Sequence, residues 1–113
     1  MGYAPLHTYH DYAQYSDNRS LISDIQCKLV HCVRAIEMMK LIERALYDNN
    51  VLSNSCLSLQ LLEKNLYDMA VENLTDGVFY AITLSHKGNF IFYSNVSRQL
   101  SAVACNLRHF KYV

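Results

Sequence analysis

From Asn18 onward the apolar positions fall into a helical rhythm. Ile22, Ile25, Leu29, Cys32, Ile36 and Met39 follow one another at spacings of three and four, which at 3.6 residues per turn makes a single stripe. Asn18 or Ser20 can cap the start of this helix, because a short polar side chain bonds the open N–H groups of a first turn. The pattern predicts a helix to about Tyr47. A second series, Cys27, His31, Ala35, Met38, Ile42 and Ala45, lies about 150 to 180° round the same cylinder, with Arg34, Glu37, Lys40 and Arg44 between the two.

A helix of about 28 residues is about 42 Å long, whereas a compact domain of this size is about 34 Å across. The second stripe is therefore expected to pack either on the rest of this chain or on a second copy of it. Residues 48 to 55, DNNVLSNS, interrupt the pattern with side chains that compete for backbone hydrogen bonds. Beyond them Leu59, Leu62, Leu66, Met69 and Ala70 share one face, opposite Lys64, Asp68 and Glu72. This predicts a second helix over 55–73, folded back on the first as an antiparallel partner.

After Gly77 the pattern changes. VFYAITL and NFIFYS are β-branched and aromatic runs on either side of SHKG, whose Gly88 can take positive φ, and the spacing predicts a β-hairpin. Leu100, Val103, Ala104 and Leu107 then predict a short amphipathic helix over 97–107. The closing HFKYV can supply a third strand, as can a partner chain. The expected fold class is α+β: a long antiparallel helical hairpin packed on a β-hairpin, with a short C-terminal helix. Residues 1–17 read as an aromatic, polar, partly ordered N-terminal segment, and 18–113 as one domain.

Composition sharpens this picture in two ways. Apolar residues make up 51% of the 113 and charged residues only 18%, so part of the surface is expected to be apolar, and such surface tends to be interface. Ten basic and ten acidic side chains cancel; on that ground neither nucleic acid nor a membrane is expected as a partner. With no apolar signal core near the N-terminus and no long apolar run, an intracellular, by default cytoplasmic, location is expected. Free thiols and unglycosylated sequons at Asn18, Asn73 and Asn95 go with it.

One repeated pattern hints at chemistry. CKLVH at 27–31 and CNLRH at 105–109 both place Cys and His four apart, on one face of a helix, so Cys27, His31, Cys105 and His109 offer the two sulfurs and two nitrogens of a tetrahedral zinc site. The competing reading is packing: no Cys-x2-Cys knuckle is present, and cysteine is commonly buried without any metal. Tyr9, Tyr12 and Tyr15, spaced by three, could anchor a partner or cover the edge of the core. No nucleophile motif, phosphate loop or metalloprotease helix occurs, and an enzyme is not expected; a thiol pairing of Cys56 or Cys105 with His86 or His109 would need the fold to bring them together.

The expected function is protein–protein interaction by a small adaptor or regulatory homodimer. Met38, Ile42, Ala45 and the three tyrosines are the candidate interface, with an unidentified protein as the further partner and no cofactor. Small size and missing catalytic motifs fit a viral accessory protein as well. The alternative is a zinc-stabilised binding module, and a small thiol enzyme ranks below it.

Overall fold

In the computed structural model the chain is described over residues 6–48 and 53–110, with side chains over 18–48 and 56–110. Three helices follow one another: α1 (Leu6–Tyr47), α2 (Ser53–His86) and α3 (Phe90–Arg108). There is no strand among the described residues, so the architecture is all-helical and the α+β expectation is corrected.

The correction has a residue-level cause. Through the segment read as a turn and a strand, the positions facing the core are Ala70, Leu74, Gly77, Ala81 and Leu84. Their spacings are 4, 3, 4 and 3, a helical period carried largely by Gly and Ala, whose small side chains leave no mark on a pattern of large apolar residues. Gly77 is small for a reason: a Cβ there would stand 2.9 Å from Leu100 Cδ2 and 3.7 Å from Lys28 Cβ. Residues of α1 and α3 thus both come within 4 Å of the missing side chain on α2. The neighbouring polar residues do not break the helix, because they satisfy its carbonyls from outside: Thr75 Oγ1 donates to the Val71 carbonyl at 2.8 Å and Asn73 Nδ2 to that of Met69 at 2.8 Å.

The turn at Gly88 is real, but it joins two helices. Gly88 has φ +83°, its N–H donates to the Ser85 carbonyl at 2.9 Å, and the Asn89 N–H donates to that of Leu84 at 3.3 Å. These paired bonds form a Schellman motif, which needs a left-handed residue just past the helix end and so favours glycine. The helix expected over 97–107 lies within the longer α3. Its buried line is Val96, Leu100, Val103, Leu107 and, in the turn that follows, Phe110. Phe110 is thus a core residue rather than part of a C-terminal strand, and residues 111–113 lie outside the described residues.

The first stripe of α1 is the core as expected. Ile25, Leu29, Cys32, Ile36 and Met39 are buried together with Ala70, Ala81, Leu84 and the α3 line, while Ile22 packs at the margin. Each such side chain contributes roughly 1.5 to 3 kcal/mol on burial. The helix starts at Leu6, well before Asn18, and its 42 residues are about 63 Å long. The molecule measures 63 × 25 × 20 Å with a radius of gyration of 18.9 Å, against about 13 Å for a compact domain of this size. The long helix therefore outruns a globule and sets the length of the whole molecule.

Register follows from three cross-helix contacts. Lys28 pairs with Asp76 at 3.6 Å, the Cys32 thiol donates to the Ala70 carbonyl at 3.4 Å, and Glu43 meets Glu63. Residues of α1 and α2 whose numbers sum to about 104 are therefore level. His86, the last residue of α2, is level with about residue 18, so the first turns of α1, which starts at Leu6, run roughly 18 Å past the end of α2.

Candidate functional site

The four residues of the repeated Cys-x-Leu-x-His pattern do not converge. Cys27 and His31 are exposed neighbours on α1, with Sγ 3.5 Å from Nε2. Cys105 is exposed near the end of α3 and accepts a hydrogen bond from Arg108 Nη2 at 3.4 Å, while His109 stacks edge-on against Phe110, ring centroids 5.7 Å apart. His109 lies beside Glu43, sixteen residues along α1 from Cys27, which is about 24 Å. No group of three or more His, Cys, Asp or Glu side chains among the described residues is placed to hold a metal ion. In the first copy Cys27 and His31 touch each other, whereas in the second Cys105 and His109 meet different neighbours, Arg108 and Phe110.

Cys32 is a buried thiol whose pKa is pushed up by that burial, against a smaller downward pull from Lys28. It packs in the core, where thiols are inert. The Cys27–His31 contact sits in mid-helix, where the backbone N–H groups are already used by the helix and none is left to stabilise an oxyanion.

A second polar cluster escaped the sequence reading. Glu63 on α2 is only 5% exposed, and the Glu43 carboxyl on α1 hydrogen-bonds it with His109 close by. Two carboxyls can share such a bond only if one is protonated. Burial, then the Glu63 charge, hold the Glu43 carboxyl above the ordinary range; His109 pulls it down, and the bond to Glu63 raises it further. The three residues come from α1, from α2 and from the position just after α3, so no spacing within any one segment could have revealed the cluster.

The candidate interface residues divide. Ala35 and Ile42 of the second stripe are buried within this chain, Ala45 is half-buried, and Met38 is 46% exposed. Ile42 is thus buried within the chain and unavailable to a partner. The side chains of Tyr9, Tyr12 and Tyr15 lie outside the described residues; the backbone there continues α1.

Met38 has company that the sequence alone did not supply. In the register above it is level with Leu66, between Leu62 and Met69, which are 44% and 43% exposed. At about 100° per residue, Leu62 and Met69 lie some 160 to 180° round α2 from Val78, and Val78 lines the groove that meets α3 at Tyr93, Ser97 and Leu100. The α1–α2 layer therefore has one flank covered by α3 and an opposite flank left open, with Met38, Leu62 and Met69 at its middle and Ile42, Ala35 and Leu66 beneath.

Charge is also unevenly placed. All ten acidic side chains fall in the first 76 residues, whereas Gly77 to Val113 contains none and carries Lys87, Arg98, Arg108 and Lys111. A net charge of zero conceals this polarity. A count by segment would have found it. No family model, curated protein or solved structure matches the chain. Among the described residues no helix is long and apolar enough to cross a membrane.

Proposed function

We propose that the protein works by binding other proteins, and that it does so as a homodimer joined through the open flank of its α1–α2 layer. The observation that carries this reading is the apolar seam of Met38, Leu62 and Met69 opposite α3. Two helices spaced 8 to 10 Å apart present a strip about 20 Å wide, and α2 gives it a length near 50 Å. Allowing for rounded ends, that is a footprint of roughly 900 Å², comparable to the 800 Å² or so per partner of a stable complex. Met38, Leu62 and Met69 carry no charge, while Asp24 and the Lys28–Asp76 pair stand further along the same flank, an apolar patch bordered by polar groups as in an interface with a polar rim. A flat helical layer is also self-complementary in shape, which a two-fold dimer requires.

Sedimentation velocity over a hundredfold range of concentration tests this reading. Wild-type protein is expected to sediment as a dimer that dissociates on dilution, and the Met38→Glu, Leu62→Glu double variant as a folded monomer throughout. A double variant that sediments like wild type would place the interface elsewhere.

A further inference from the structure

The segment from Gly77 to Val113 is free of acidic residues, and its outer surface joins positive charge to bare hydrocarbon. Phe90 and Ile91, the first residues of α3, are 64% and 76% exposed, close in sequence to His86 at the end of α2 and Lys87 in the turn. Phe92 and, on α2, Ile82 are also exposed large apolar side chains. Along α3, Arg98 points directly away from the buried line of Val96, Leu100, Val103 and Leu107, and Arg108 lies on the flank of that outward face, on the same side as Phe90.

We propose that α3 and the α2–α3 corner form a docking surface for an anionic lipid bilayer. Charge complementarity and geometry choose the partner together. Phe90 and Ile91 leave the helix about 100° apart on its outward side, the side of Arg98 and Arg108, whereas Phe92 turns back toward the buried line. The two bulky tips stand out beside cations with no groove between them, and a bilayer interface takes up such protruding side chains without requiring a matching pocket. Arg98, Arg108 and Lys87 then lie at the depth of the phosphates, with no carboxylate on α3 to repel them. Nucleic acid fits less well: the cations are few and spread along the helix, and the exposed phenylalanines would stay in water. Docking through α3 also leaves the open flank of the α1–α2 layer clear, so the surface does not depend on the dimer reading.

Vesicle sedimentation with the full-length protein tests the proposal. Vesicles of phosphatidylcholine with about a third phosphatidylserine are expected to pull the protein down, and pure phosphatidylcholine vesicles to do so at least tenfold less well. Raising the salt to 0.5 M is expected to release most of the bound protein. The Phe90→Ser, Ile91→Ser variant should lose at least tenfold in apparent affinity, as should Arg98→Glu, Arg108→Glu, each with an unchanged helical circular dichroism spectrum, since the replaced side chains are exposed. Absence of sedimentation with anionic vesicles would overturn the proposal. So would equal binding to neutral vesicles. Vesicle binding that survives Phe90→Ser, Ile91→Ser, matched by equal binding to heparin, would mean a surface that reads charge alone, as for an acidic protein, and would overturn it too.

Discussion

The two flanks of the α1–α2 layer are built from the same pair of helices and end in opposite states. On the flank covered by α3, Gly77 leaves free the space a side chain would have taken and Leu100 fills it, its Cδ2 standing 2.9 Å from where a Cβ would be. On the other flank Met38, Leu62 and Met69 are flexible, large and nearly half exposed. One flank was fitted to a partner within the chain by making a residue smaller. The other keeps its bulk, and nothing within the described chain covers it. The difference teaches that an apolar stripe marks a contact, while its residue sizes indicate whether the contact is already made.

The covered flank should be the more costly one to damage. Leu100→Ala is expected to destabilise the protein by about 2 to 5 kcal/mol, because it removes a fully packed side chain and leaves a cavity between three helices; thermal unfolding at fixed concentration measures this. On the open flank, Met38→Glu is expected to change the stability of the isolated chain by less than about 1 kcal/mol, as is usual for a surface position, while abolishing self-association. If both substitutions cost the same in a dilute, monomeric sample, the two flanks do not differ in the way described.

Gly77→Ala sharpens the contrast. A methyl group there gains about 1 kcal/mol in helix propensity, and the atom it meets is the end of a flexible leucine side chain. The two effects nearly cancel, so the melting temperature should move by only a few degrees. Gly77→Phe should displace α3 and expose its buried line, which protection of the α3 amides from hydrogen exchange would report.

Much of α1 was legible in the sequence, and the reason is physical. Ile25, Leu29, Cys32, Ile36 and Met39 are large and spaced at 3 and 4, and all are buried. The same rule failed at 78–95 because two core positions of α2 there, Gly77 and Ala81, are small, while the conspicuous Val78, Phe79 and Ile82 stay partly exposed, Val78 and Ile82 along the groove that meets α3. Large residues at 78, 79 and 82 match the two faces of a strand, yet all three lie on one side of a helix, towards α3 and solvent. On α3 the line Tyr93, Val96, Leu100, Val103, Leu107 and Phe110 keeps a spacing of 3 and 4 throughout, so the helix could have been extended back through the supposed strand. The open flank and the Glu43–Glu63–His109 cluster were not legible, since both depend on which residues of different helices stand level.

That cluster supplies a smaller prediction, at the end of the layer away from Gly88. Because folding raises the pKa of Glu43, the folded protein keeps a proton that the unfolded chain has released. Its contribution is complete below the ordinary carboxyl pKa and is lost as pH rises through the raised one. Glu43→Gln should therefore flatten the dependence of melting temperature on pH over that window and raise it by a few degrees on the alkaline side. Unchanged pH dependence in the variant would show that the pair shares no proton.

The smallest test concerns the thiols, which lie on known sides of the layer. Cys27 and Cys105 are exposed, Cys56 is intermediate and Cys32 is buried with its pKa raised. Two should alkylate quickly at neutral pH, one more slowly, and Cys32 only as fast as the protein opens. Rapid labelling of all four would contradict the packing of α1 on α2.

The most direct measurement is the melting temperature of wild-type protein and of the Met38→Glu, Leu62→Glu variant at several concentrations, because association through the open flank couples assembly to folding. The expected result is a wild-type melting temperature that climbs with concentration and a variant that melts at one temperature throughout. Wild-type melting that does not depend on concentration, at levels where the protein is fully folded, would contradict self-association through that flank.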